Sequence, residues 1–152
     1  MTDSIDKSDP VVRGKIAQRF TDAIPHNRAI GLTLISAGPP DVHTRLAYRE
    51  DFLGNVKAGL WHTAIATTAA DSSCGLAVFL AMPGMEAVAT LDLRMDYLRP
   101  AVAGRDLEIV ASCHHVTRNV AFATAMLHQG DSGRPTARCT ATFMRTGGSV
   151  LP

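Results

Sequence analysis

The stretch from Leu60 to Met82 is the most apolar in the chain and contains no proline. It is long enough to span a bilayer, yet it carries His62, Asp71 and several serines and threonines, a costly set for lipid. The sequence therefore predicts a buried helix over about 59–81, apolar on nearly every face, which other parts of the fold or another copy must wrap. An aspartate in the middle of such a helix costs stability unless it is paired or used, so Asp71 is the most informative residue in the chain.

The flanks predict what does the wrapping. Asp9-Pro10 reads as an N-cap followed by proline in the first turn, and Val12, Ile16, Phe20 and Ile24 recur every four residues in a short amphipathic helix that ends before Pro25. Strands are expected at 30–36 and 42–49, with Gly38-Pro39-Pro40-Asp41 as the turn between them. After Pro83-Gly84, Ala87, Ala89, Leu91, Leu93, Met95 and Tyr97 alternate with Thr90, Asp92, Arg94 and Asp96 in a long strand closed by Pro100. Three more alternating runs, at about 106–117, 119–129 and 136–146, are joined by turns short enough for an antiparallel meander. The expected fold is α+β: one domain over 1–152, with a curved antiparallel sheet of five or six strands around one long central helix, a short N-terminal helix, and residues 1–9 flexible.

Composition narrows the function. Charged residues are 19% of the chain, below the roughly 25% of an average soluble domain, which points to a surface partly covered by a partner or another copy. The formal net charge of +1 supplies no field to draw the chain onto nucleic acid or an anionic membrane, so neither is an expected partner. Cys74, Cys113 and Cys139 contain no Cys-x-x-Cys pair, and the acidic, polar start MTDSIDKSDP lacks the regions of a signal peptide; a cytoplasmic location is expected. His114 and His115 fall on one alternating strand and point to opposite faces, while His26, His43 and His128 stand isolated, so no metal site is expected.

His62 and Asp71 are nine residues apart, about 2.5 turns and about 13.5 Å along a helix, so one copy cannot bring them together. If both serve one site, two helices must run side by side, with His62 of one subunit meeting Asp71 of the other.

The run Asn55-x-x-x-Gly59-x-x-His62, then Asp71, then Ala89-Thr90-Leu91-Asp92-Leu93 and Tyr97-Leu98-Arg99-Pro100-Ala101 resembles the hotdog-fold thioesterases of the phenylacetic-acid-degradation (PaaI-like) type over roughly residues 45–146. The resemblance implies an acyl-CoA thioesterase that needs no metal or redox cofactor and works as a homodimer or homotetramer with sites at the dimer interface. It implies that Asp71 is the carboxylate that activates water as a general base or attacks the thioester itself. Thr90 matches a hydroxyl that orients the water, His62 a residue that positions the thioester, and Asn55 and Gly59 complete the motif. The backbone N–H groups of Thr63 and Ala64 would hold the oxyanion. Arg99 and Arg118 are candidates to hold a coenzyme A phosphate. The family's His-Gly-Gly is His62-Thr63-Ala64 here, which keeps a second reading open: a non-catalytic hotdog protein that binds an acyl thioester.

Overall fold

The computed structural model describes residues 6–149. Helix α1, Pro10–Ala23, starts as the sequence predicts, with the Asp9 carboxylate accepting the N–H groups of Val11 and Val12. Pro25 then opens a second short helix, α2, Pro25–Ile30, where the sequence suggested only a break. Strands β1, Leu32–Ser36, and β2, Asp41–Leu46, form a hairpin. β2 is shorter than the expected 42–49, because at Tyr48 the backbone N–H goes to the Asp106 carboxylate and leaves the ladder.

A 3-10 turn at Glu50–Phe52 leads into a small ladder of β3, Leu53–Asn55, with β4, Leu60–Trp61. The long helix α3 therefore spans Thr63–Ala81 and not 59–81, since the N–H groups of Trp61 and His62 donate to Ala101 O and Phe52 O. The remaining strands are β5, Glu86–Tyr97, β6, Leu107–Val116, β7, Val120–His128, and β8, Ala137–Ser149.

Six strands form one antiparallel sheet in the order β1-β2-β6-β7-β8-β5, with α3 packed on one face. Only β6, β7 and β8 form the expected meander; β5 pairs with β8 and not with β6. The link from β5 to β6 cannot fold straight back. Its Leu98 and Arg99 N–H groups donate to Thr136 O, Ala103 N–H donates to Gly59 O, and Pro100 has no N–H to give. One edge of the sheet is thus the 12-residue strand β5.

The helix face of the sheet is built from Val42, Leu46, Leu107, Ile109, Leu127 and Phe143, all buried against α3 residues such as Leu76 and Phe79. A polar pair in this layer is satisfied: Thr44 Oγ1 lies 2.7 Å from Ser73 Oγ, which also donates to Ala69 O. The end of α3 is closed by cations. Lys7 Nζ donates to the carbonyls of Phe79, Met82 and Gly84, and Arg13 Nη1 donates to Leu80 O, which satisfies carbonyls that a helix end leaves free. Burial, helped by the charge of Arg13, pushes the Lys7 ammonium down to about 8. The expectation of a flexible 1–9 does not extend to this buried lysine, and residues 1–5 lie outside the described residues.

Candidate functional site

The site grows from the start of α3. His62 is the N-cap: its Nδ1 accepts the Ala64 N–H at 3.1 Å and its carbonyl accepts the Ile65 N–H. The residue sits against Gly54, where a Cβ would come within 2.9 Å of the His62 Cα. Only glycine allows that approach. Before it, Gly59 holds φ +63°, and Asn55 Oδ1 accepts the Ala58 N–H, so Asn55 shapes the loop leading to Gly59.

Thr63, Thr67 and Asp71 recur every four residues and form one stripe along α3 toward β5. Tyr97 Oη donates to Thr63 O at 2.9 Å and lies 2.6 Å from Thr67 Oγ1. Further along, Thr90 Oγ1 donates to Asp71 Oδ1 at 2.8 Å.

This last contact depends on a β-bulge. Thr90 pairs with Phe143 and Asp92 with Thr142, so Leu91 is an extra residue on β5 and the alternation changes phase across it. Strict alternation would place Thr90 with Asp92 and Arg94, away from Leu93, Met95 and Tyr97. With the bulge, Thr90 joins the helix-facing set, and Leu91 turns outward at 55% exposure.

A cleft of about 310 Å³ opens at the start of α3, lined by Trp61, His62, Thr63, Tyr97, Arg99 and Thr136 among others. Trp61 forms its buried wall, with Nε1 donating to Val102 O and the ring against Phe52 and Tyr48. Arg99 Nη1 donates to Pro135 O at the rim. Asp71 and Thr90 do not line this cleft. Arg118 sits exposed at the β6–β7 turn, at the opposite end of β7 from Arg99 and Thr136 and about 25–30 Å along the strand from them.

The structure thus joins Asp71 to Thr90 and gathers His62, Thr63 and Arg99 around one cleft, while Arg118 stands apart from both. Gly54 is a contributor that the sequence does not single out, and Tyr97, part of the quoted motif, gains a role there that the sequence does not assign. Gly54 carried a signal, since an isolated glycine in a strand marks close backbone approach. Tyr97 is legible as a strand and motif residue, but its hydroxyl contacts depend on the crossing of β5 over α3. The three histidine and carboxylate side chains His43, Glu108 and His128, two of them read as isolated, meet on the outer face of the sheet.

The thioesterase superfamily model matches residues 58–136. A Pseudomonas aeruginosa protein of known structure is 36% identical, with a TM-score of 0.78 over 87% of this chain and 98% of its own. A mutant of the phenylacetic acid degradation protein PaaI from Thermus thermophilus is 28% identical, with a TM-score of 0.69 over 80% of this chain and 99% of its own. PaaI of E. coli, from the phenylacetic acid degradation operon, shares the fold at 19% identity, with a TM-score of 0.79 over 95% of this chain and 99% of its own. No curated protein matches the chain. Six antiparallel strands around one long helix, the helix-start cleft and these matches lead to one conclusion: the chain belongs to the thioesterase superfamily.

Proposed function

We propose that the protein hydrolyses acyl-CoA thioesters to the free acid and coenzyme A at sites shared by two copies, with Asp71 as the acting carboxylate. The observation that carries this reading is the 2.8 Å bond from Thr90 to Asp71 Oδ1. It orients a half-buried carboxylate and leaves Oδ2 free to take a proton or to attack. As a base, Asp71 accepts a proton from water while the water oxygen bonds to the thioester carbon; the C–S bond then breaks and the proton passes to the departing thiolate. As a nucleophile, Asp71 would bond to the thioester carbon and expel the coenzyme A thiolate, leaving an acyl anhydride; water then opens it to the free acid and the Asp71 carboxylate, and its proton goes to the thiolate.

Asp71 and His62 are about 13.5 Å apart along the helix direction, which supports a composite site in which Asp71 faces the partner subunit's His62. β5 supplies the seam: a 12-residue sheet edge with Leu91 exposed on it and Leu98 exposed just past its end is a template for pairing with a second copy. At the helix start, the Thr63 N–H is the donor left for an oxyanion, because the Ala64 N–H already goes to His62. That contact, with the branched Thr63 in place of glycine, favours the second reading, an acyl-CoA binding protein without turnover.

Thiol release from a panel of aliphatic and aromatic acyl-CoA substrates tests both. The parent hydrolyses at least one of them, and Asp71→Asn lowers turnover by about a hundredfold or more while leaving affinity for a non-hydrolysable analogue unchanged. Light scattering of the same samples shows an even-numbered oligomer. Equal rates in parent and variant would remove Asp71 from the chemistry, and binding without hydrolysis by the parent would select the second reading.

A further inference from the structure

The face of the sheet turned away from α3 carries a second group of side chains. On β2, Val42, Thr44 and Leu46 are buried toward the helix, so His43 points outward; Leu107 and Ile109 send Glu108 outward on β6, and Leu127 does the same for His128 on β7. Glu108 is directly opposite His128 in the β6–β7 ladder, and His43, opposite Val110, is diagonal to it. Three neighbouring strands therefore deliver two imidazoles and one carboxylate to one spot.

Their geometry is close. His43 Nε2 is 3.0 Å from Glu108 Oε2, the two histidine rings are 6.4 Å apart between centroids, and one ligand atom from each of the three residues lies within 4.8 Å of the others. His128 is only 7% exposed, and its Nδ1 is buried with no hydrogen-bond partner among the described residues. A buried polar atom left without a partner is destabilising, so this ring calls for an occupant. Beside it lies a cleft of about 330 Å³, bordered by Asp41, Ser112, Met126, His128 and Ser132, which gives an entry path and room for water.

We propose that His43, Glu108 and His128 bind a divalent transition-metal ion of the zinc class, with a water from the adjacent cleft as fourth ligand. Two imidazoles and a carboxylate form a donor set that suits zinc and disfavours calcium or magnesium, which take oxygen ligands. Metal–ligand bonds of about 2.0–2.2 Å require ligand separations of about 3.3–3.5 Å, so the 3.0 Å His43–Glu108 pair opens slightly and no other pair closes by more than about 1.5 Å. The ion would tie β2, β6 and β7 together from the outside. It lies across the sheet from α3 and takes no part in thioester chemistry, so it stands independently of the reading of Asp71.

The test is zinc titration by calorimetry of the tag-free, chelator-stripped full chain, with cobalt absorption as a report of imidazole coordination. About one ion per chain binds, and zinc raises the melting temperature. His43→Gln and Glu108→Gln each weaken binding by more than the about tenfold lost when even an outer-shell partner is removed, and they abolish the thermal shift. These two sites are partly exposed, so both variants fold, and circular dichroism checks it; His128→Gln adds the buried ligand. No zinc binding by the parent overturns the site. So does binding that survives both variants, or binding that disappears in a His114→Gln, His115→Gln double variant.

Discussion

The two halves of α3 live in different surroundings. From Ser73 to Leu80 every residue is buried, under α1 and against the sheet, and the helix end is closed by Lys7 and Arg13. From Thr63 to Ser72 only Ala66, Ala69 and Ala70 are buried, and the side chains that remain in view are mainly hydroxyls and the Asp71 carboxylate. One half is completed by its own chain and serves stability. The other is built from small polar groups that cannot stabilise much, and it holds the candidate chemistry. A single helix can do both because its far half anchors it while the near half stays accessible.

A matched pair of truncations should separate the two halves most clearly. Phe79→Ala removes a ring that is 2% exposed, packed 5.1 Å from Phe20 and covered by the Lys7 ammonium, and should cost about 3–5 kcal/mol in urea unfolding. Thr68→Ala in the near half, where the hydroxyl only donates back to Ala64 O, should change stability by about 0.5 kcal/mol or less. Similar losses at both positions would mean that the near half is as tightly packed as the far one.

Gly54→Ala tests the hinge at which the near half begins. A methyl placed 2.9 Å from the His62 Cα has backbone on its far side and cannot be accommodated without displacing the N-cap. The expected cost is about 1–3 kcal/mol, with shifted ring resonances of His62 in histidine-selective NMR. Unshifted resonances would show that the approach of these two segments is not needed to set the ring.

The smallest effect belongs to the start of β5, beside the closed half. Arg145 donates two hydrogen bonds to Glu86 Oε2, and this contact, with the Gly147 N–H, holds the Glu86 carboxyl below its ordinary value near 4.5. A carboxylate with a lowered folded value stabilises fully above its unfolded value and loses that contribution as pH falls through the folded one. Arg145→Gln should therefore cost up to about 1 kcal/mol at neutral pH and leave acid stability nearly unchanged, which unfolding at pH 7 and pH 3 compares. A loss as large at pH 3 would mean that Arg145 acts through its bond to Thr117 O and its packing, and not through the Glu86 charge.

Much of the molecule follows from local pattern. The period of α1 with its Asp9 cap, the apolar run that becomes α3, and the alternation in β6, β7 and β8 are short-range signals, since side-chain period and capping depend on neighbours within a few residues. Asp71 stood out for the same reason, as a charge inside an apolar run. The boundary at His62 did not, because residues 60–62 could have continued the helix and are held extended by the β3–β4 ladder and by the bonds from Trp61 and His62 N–H to Ala101 O and Phe52 O, partners beyond the reach of a helical turn.

Local pattern is enough to require that a long apolar helix be covered by alternating strands, and that one carboxylate on it have a reason. Tertiary structure alone decided which strands are neighbours and which side chains meet. β5 pairs with β8 because the donors of the following segment are taken up by Thr136 and Gly59. Thr90 reaches Asp71 because the bulge at Leu91 changes the phase of the strand. His43, Glu108 and His128, far apart in the chain, meet because three strands bring them into register on one face. Alternation specifies the side of a strand, but only the ladder specifies who stands opposite, and that choice is made by hydrogen bonds between segments distant in sequence.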